Sequence, residues 1–193
     1  MKKTLTVIIA LVLVVVMSVA GTVAYLTSQD TVTNTFTVGK VEITLDEAKV
    51  NAYGDALTGE QAERVAANTY KLIPGHTYTK DPIVHVGADS EDCWLFVKVE
   101  NGLSAIEDSN AKIAGQLTEN GWTLVAGTTN IYAYRAIVSA NDDVPVFGSF
   151  KLAGTADVAS YANARIYVTA YAVQADGFAT AEAALAAAPF PAA

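Results

Sequence analysis

One cysteine and two histidines are all that 193 residues hold of the side chains most used to bind transition metals or activate nucleophiles. That scarcity leaves little material for a zinc site or a histidine-based catalytic centre. Cationic side chains are few as well: 12 Lys and Arg stand against 20 Asp and Glu, a formal charge of −8. Without a basic face the chain has no means of holding a phosphate backbone, which argues against nucleic acid as a partner. A single Cys93 cannot form an intrachain disulfide, so the fold must be held by its core alone. His-Glu-x-x-His, Gly-x-Ser-x-Gly and phosphate-cradling glycine loops are all missing. The composition tilts against an enzyme, and no cofactor is expected. Charged residues make up only 17% of the chain and apolar ones 52%, so composition does not predict disorder. The length suits one domain behind a leader.

That leader is the first thing present. Lys2 and Lys3 precede an apolar run from Val7 to Val19, followed by small residues at Ala20, Gly21, Thr22 and Ala24. This is the layout of a secretory signal peptide, with the cut expected after Ala24, between Thr22-Val23-Ala24 and Tyr25. The alternative is an uncleaved anchor, since Leu5–Leu26 has 22 residues and about 20 span a bilayer. Polar Ser18 and Thr22 and the small-residue exit favour cleavage, and membrane contact is expected only through the uncleaved leader. Removing residues 1–24 removes two lysines and no acid, leaving a net charge near −10. Such a protein is expected outside the cell, at the surface or in a matrix.

The remaining chain reads as strands with short helices. Thr35–Leu45 alternates, with Val41, Ile43 and Leu45 on one face and Glu42 and Thr44 on the other. Thr58 is expected to cap a short helix through Glu60, Gln61, Ala62 and Val65. Tyr70–Ile73 reads as a strand closed by Pro74-Gly75, and Tyr78–Val86 as the next. Cys93–Val99, aromatic and β-branched, reads as a central strand that buries Cys93. Asn110–Asn120 reads as a helix stopped by Gly121. Trp122–Val125 and Ile131–Ile137 flank a turn at Gly127–Asn130. Val144, Val146, Phe150 and Leu152 share a face, as do Ile166, Val168, Ala170 and Ala172 within the strand Arg165–Gln174. A last helix covers Thr180–Ala188. About eight strands without alternating βα units predict an all-β fold, an antiparallel β-sandwich of jelly-roll type. The expected organisation is a signal peptide over 1–24, an N-terminal segment over 25–38 and one domain over 39–193.

Polar clusters offer little chemistry. His76, Asp81 and His85 are the candidates for a transition metal, but the histidines stand nine positions apart, which puts them on opposite sides of a continuous strand unless Pro82 kinks it. Asp89, Glu91 and Asp92, or Asn141, Asp142 and Asp143, lack the ligand spacing of a calcium loop and read as solvated turns.

Gly21-Thr22-Val23-Ala24-Tyr25-Leu26-Thr27-Ser28 and Asn34-Thr35-Phe36-Thr37-Val38-Gly39-Lys40-Val41-Glu42-Ile43 resemble the start of exported proteins of the TasA/camelysin family. Leu72-Ile73-Pro74-Gly75 with Lys80-Asp81, and Ala170-Tyr171-Ala172-Val173-Gln174-Ala175-Asp176-Gly177-Phe178, resemble it further along. The resemblance implies a jelly-roll subunit exported from a Gram-positive bacterium through a specialised signal peptidase of the SipW type. It also implies polymerisation into biofilm-matrix fibres, with copies of itself or related matrix proteins as partners. In the family the segment freed by cleavage pairs as a strand with the next subunit; here that is Tyr25–Val38, with Thr31, Val32, Thr33, Thr35 and Phe36 at its centre.

The residues support that expectation independently. Thr27–Thr37 is rich in β-formers, sparsely charged and free of glycine and proline, so its backbone is satisfied only by pairing, at home or with a neighbour. Two alternatives stand beside the fibre subunit. One is a camelysin-like surface metalloendopeptidase using His76, Asp81 and His85. The other is a monomeric adhesin with Trp94, Trp122, Tyr132 and Tyr134 as its contact face.

Overall fold

The structure, a computed structural model, describes residues 40–190. Ten strands form two four-stranded sheets and one two-stranded ribbon, all antiparallel. The first sheet has the order β2-β1-β4-β8, from β1 (Ile43–Ala48), β2 (Arg64–Val65), β4 (Ile83–Val86) and β8 (Asp143–Pro145). The second has the order β10-β5-β7-β6, from β5 (Cys93–Asn101), β6 (Trp122–Leu124), β7 (Ile131–Tyr134) and β10 (Ile166–Gln174). The ribbon pairs β3 (Thr77–Thr79) with β9 (Ser149–Lys151). Two short helices complete it, α1 (Ile113–Glu119) and α2 (Ala181–Ala187). The all-β antiparallel sandwich expected from the sequence is therefore present. These strand orders do not by themselves define the paired Greek keys of a jelly roll.

The second sheet separates two apolar clusters, and the two-residue period of β5 assigns its side chains between them. Cys93, Leu95, Val97 and Val99 point into the main core, together with Val84 and Val86 of the opposite sheet, Tyr78, Phe150, Ile113, Leu117 and Trp122. Phe96, on the other face, joins Ala133, Val173, Ala181 and Ala184 beneath α2. Ile166, Val168, Ala170 and Ala172 of β10 pack as one set against the main core, while Val173 faces the second. Helix α2 starts as expected at Thr180, whose hydroxyl accepts from the Ala183 N–H at 3.2 Å. Helix α1 ends at Gly121, whose φ of +88° suits the residue past a helix C-terminus.

Three expectations are corrected. The helix after Thr58 is a three-residue 3-10 turn, Gly59–Gln61, with no side-chain cap, and Val65 belongs to β2. Tyr78–Val86 is two strands, separated at Lys80–Pro82 because proline has no N–H to give a ladder. Tyr70–Ile73 is irregular: the Ile73 N–H donates to the Tyr78 hydroxyl at 2.6 Å, and that hydroxyl donates to the Lys71 carbonyl at 2.9 Å. One phenol supplies what a neighbouring strand would otherwise give.

Candidate functional site

The sheet margins differ sharply in what they leave unpaired. β2, β6 and β8 are two or three residues long, and β8 carries Pro145, a residue that blunts edges. β10 runs for nine residues, each in register with β5 from Ile166↔Asn101 to Gln174↔Cys93. Among the described residues its other flank has no strand partner. It contains no proline, glycine or lysine, and Tyr167 on it is 53% exposed. None of the usual devices that protect an edge is built into it. β1 likewise pairs with β4 over Ile43–Asp46 and meets β2 only at Glu47 and Ala48.

A cleft of about 440 Å³ runs between β1 and β10. Leu45, Leu72, Phe150 and Val168 supply apolar lining, and Glu47, Asn68, Lys80 and Arg165 supply polar groups. Glu47 is 4% exposed, the one buried charged side chain among the described residues. Its carboxylate is filled from two sides: Lys80 Nζ bonds Oε2, and Asn68 Nδ2 donates to Oε1 at 2.9 Å. The Asn68 amide is fixed in turn, with Nδ2 also donating to the Ala48 carbonyl at 2.9 Å and Oδ1 accepting the Val50 N–H at 3.0 Å. Burial first, and then the Glu47 carboxylate, push the neighbouring Tyr70 hydroxyl far above its ordinary pKa. Tyr70 donates to the Thr79 carbonyl at 3.1 Å.

Sequence reading did not find this cluster, because its members lie 21 and 33 residues from Glu47. A signal existed: continuing the alternation Val41, Ile43, Leu45 puts Glu47 on the inward face.

The candidate metal residues separate. His76 lies near the Pro74-Gly75 turn, where its Nε2 donates to the Tyr53 carbonyl at 2.7 Å and its ring meets Tyr78 edge-on. Asp81 and His85 meet in an ionic network on the outer face of the first sheet. His85 is directly across from Asp143 and bonds it through Nδ1, while its Nε2 reaches Asp46 at 3.0 Å. Arg64 joins Asp46 to Asp81, and Asp81 Oδ1 accepts the Ala48 N–H at 2.7 Å. The hydrogen bond to Asp46 is the main cause that raises the His85 pKa, against a smaller opposing effect of burial. At Asp46 burial pushes the pKa up, but bonds from Arg64 and His85 outweigh it and lower the value. Among the described residues no group of three or more His, Cys, Asp or Glu is arranged to hold a metal.

Of the aromatic contact face, Trp122 is 1% exposed and donates to the Pro145 carbonyl at 2.9 Å. It is core, as aromatic residues in strands commonly are. Trp94 packs beside Phe178, and Tyr132 and Tyr134 lie half-buried against the main core. Asp89, Glu91 and Asp92 are exposed, and Asp142 closes a turn by accepting the Ser139 N–H at 2.8 Å. Cys93 is fully buried, and burial, then Asp92 and Asp142, push its thiol to about 11.

Thr22, Ala24 and Tyr25 of the cleavage region, and Thr31, Val32, Thr33, Thr35 and Phe36 of the donor segment, lie outside the described residues. No helix among the described residues is long and apolar enough to cross a membrane. No family model, curated protein or solved structure matches the chain.

Proposed function

We propose that this chain is an exported structural subunit of a cell surface or extracellular matrix, which assembles by donating its N-terminal strand to another copy. The observation that carries the reading is the nine-residue edge of β10, which has no strand partner among the described residues, beside the cleft. Thr27–Thr37 has the composition of a strand and is long enough to lie along that edge. Donation from copy to copy is a heterologous contact, and where the rotation does not close it yields a filament. The jelly-roll topology and the kinship with TasA/camelysin proteins belong to the same proposal. Signal peptidase acts on the chain once, during export.

The test is electron microscopy and size analysis of protein begun at Tyr25, beside protein begun after Val38. Filaments from the first and monomers from the second are expected; monomers from both, at high concentration across pH and salt, overturn the reading. Protonating carboxylates relieves self-repulsion in so acidic a chain, so assembly is expected to quicken from about pH 7 to about pH 4. A rate unchanged over that interval counts against it.

A further inference from the structure

We infer that Glu47, Asn68 and Lys80 form an autocatalytic site that joins the Lys80 and Asn68 side chains through an intramolecular amide bond. The inference rests on how one buried carboxylate is shared. Lys80 Nζ lies on one oxygen of Glu47 and the amide of Asn68 on the other, so an amine and a carboxamide share a single acid–base group. The groups that such a reaction needs are gathered at this carboxylate. Lys80 supplies the nucleophile and Glu47 the base. The Val50 N–H, 3.0 Å from Asn68 Oδ1, already polarises the carbonyl and points at the oxygen where negative charge develops. Nδ2, the leaving nitrogen, sits 2.9 Å from Glu47 Oε1, so the acid that protonates it is in contact from the outset.

The atoms balance without an added reagent. Lys80 Nζ passes a proton to Glu47 and attacks Asn68 Cγ, forming the Nζ–Cγ bond. The tetrahedral intermediate places its oxyanion on Oδ1 beside the Val50 N–H. Its collapse breaks the Cγ–Nδ2 bond as Glu47 delivers a proton to Nδ2, and ammonia leaves. The proton left on Nζ passes to Glu47 and on to the departing nitrogen, so the products are a secondary amide, one ammonium ion and Glu47 again as the carboxylate. The cleft between β1 and β10, which all three side chains line, gives the ammonia its way out. Positioning converts a slow reaction between separate molecules into one within a fixed pair, where effective concentrations reach about 10⁵ M or more.

Two mass measurements on the purified exported protein, its N-terminus fixed by sequencing, decide the matter. The intact mass is expected to fall below the sequence value by one ammonia, about 17 Da, the signature of this covalent change. Digestion is expected to give one branched peptide linking Asn68 to Lys80, confirmed by fragmentation. Lys80→Arg and Glu47→Gln are expected to restore the full sequence mass, while Asn68→Asp closes by losing water, about 18 Da, in place of ammonia. Circular dichroism establishes that the variants fold; should they not, the wild-type branched peptide still decides. A wild-type mass equal to the sequence value overturns the inference, as does an ammonia loss without the branched peptide, which marks a succinimide, or a loss that survives Lys80→Arg. The site lies within residues 47–80, so the result is read independently of whether copies assemble.

Discussion

Replacing Tyr78 by phenylalanine isolates the hydroxyl that organises the irregular segment Tyr70–Ile73. The ring is fully buried and stacks on Phe150 at 4.6 Å between centroids, with 10° between planes, and phenylalanine keeps that packing. What disappears is a hydroxyl that accepts from Ile73 and donates to Lys71. Ile73 is half-buried, so its N–H loses its partner with restricted access to water, at a cost of about 1–2 kcal/mol. Lys71 is exposed and its carbonyl recovers water, so this half costs about 0.5 kcal/mol. The sum is about 2 kcal/mol, or a fall of roughly 4–8 °C in melting temperature for a domain of this size. Denaturant unfolding followed by circular dichroism measures it, and hydrogen exchange at the Ile73 amide should accelerate locally. Tyr70→Phe, which removes one bond to the Thr79 carbonyl, is the control and should cost about 1 kcal/mol. If Tyr78→Phe changes stability by less than about 0.5 kcal/mol, as an ordinary surface substitution would, the phenol does not replace a strand and the account of this segment is wrong.

Three further outcomes are expected. Gly54→Ala should destabilise far more than Gly59→Ala: both residues have positive φ and share a penalty of about 1–2 kcal/mol, but a Cβ at Gly54 falls 2.6 Å from Tyr78 Cδ1 while Gly59 faces open space. Paired denaturation curves check the difference, and equal effects would contradict the packing. Cys93 should resist alkylation near pH 8 in the folded protein and react once unfolded, because its buried thiol is raised to about 11; rapid native labelling refutes this. His85 has a raised folded pKa, so its contribution is complete below the unfolded value of 6.5 and is lost as pH rises through the higher folded one. The stability difference between wild type and His85→Gln should therefore be larger at pH 5.5 than at pH 9, and a difference independent of pH rules out the carboxylate clamp.

Much of the sandwich is legible in period 2. Val41, Ile43 and Leu45 face the core as the alternation says, and Cys93–Val99 is central because its two faces are both apolar. The sequence misleads where a side chain stands in for backbone. Tyr70–Ile73 has the residues of a strand, yet its hydrogen bonds go to a phenol five residues further on from Ile73. The cluster of Glu47, Asn68 and Lys80 was hidden for another reason: β1, the loop before β3 and the bend after β3 come together only in three dimensions. His85 was visible as a candidate, but its partners Asp46 and Asp143 stand 39 and 58 residues away, set by the register of β4 with both neighbours.

The ladder between β5 and β10 has a consequence for the order in which the molecule can be completed. The longest strand of the second sheet waits for a partner of equal length that begins 65 residues after it ends, and α2, which covers the reverse side of that pair, comes later still. A chain emerging from its N-terminus therefore carries β5 with one side unzipped and Phe96 uncovered until β10 and α2 are delivered. Long-range pairing of this kind is slow to form, and an unpaired edge invites wrong neighbours while it lasts. Closure of the sheet is thus a signal that the chain has been delivered through β10, and a chain cut short after β9 has no route to the finished sandwich.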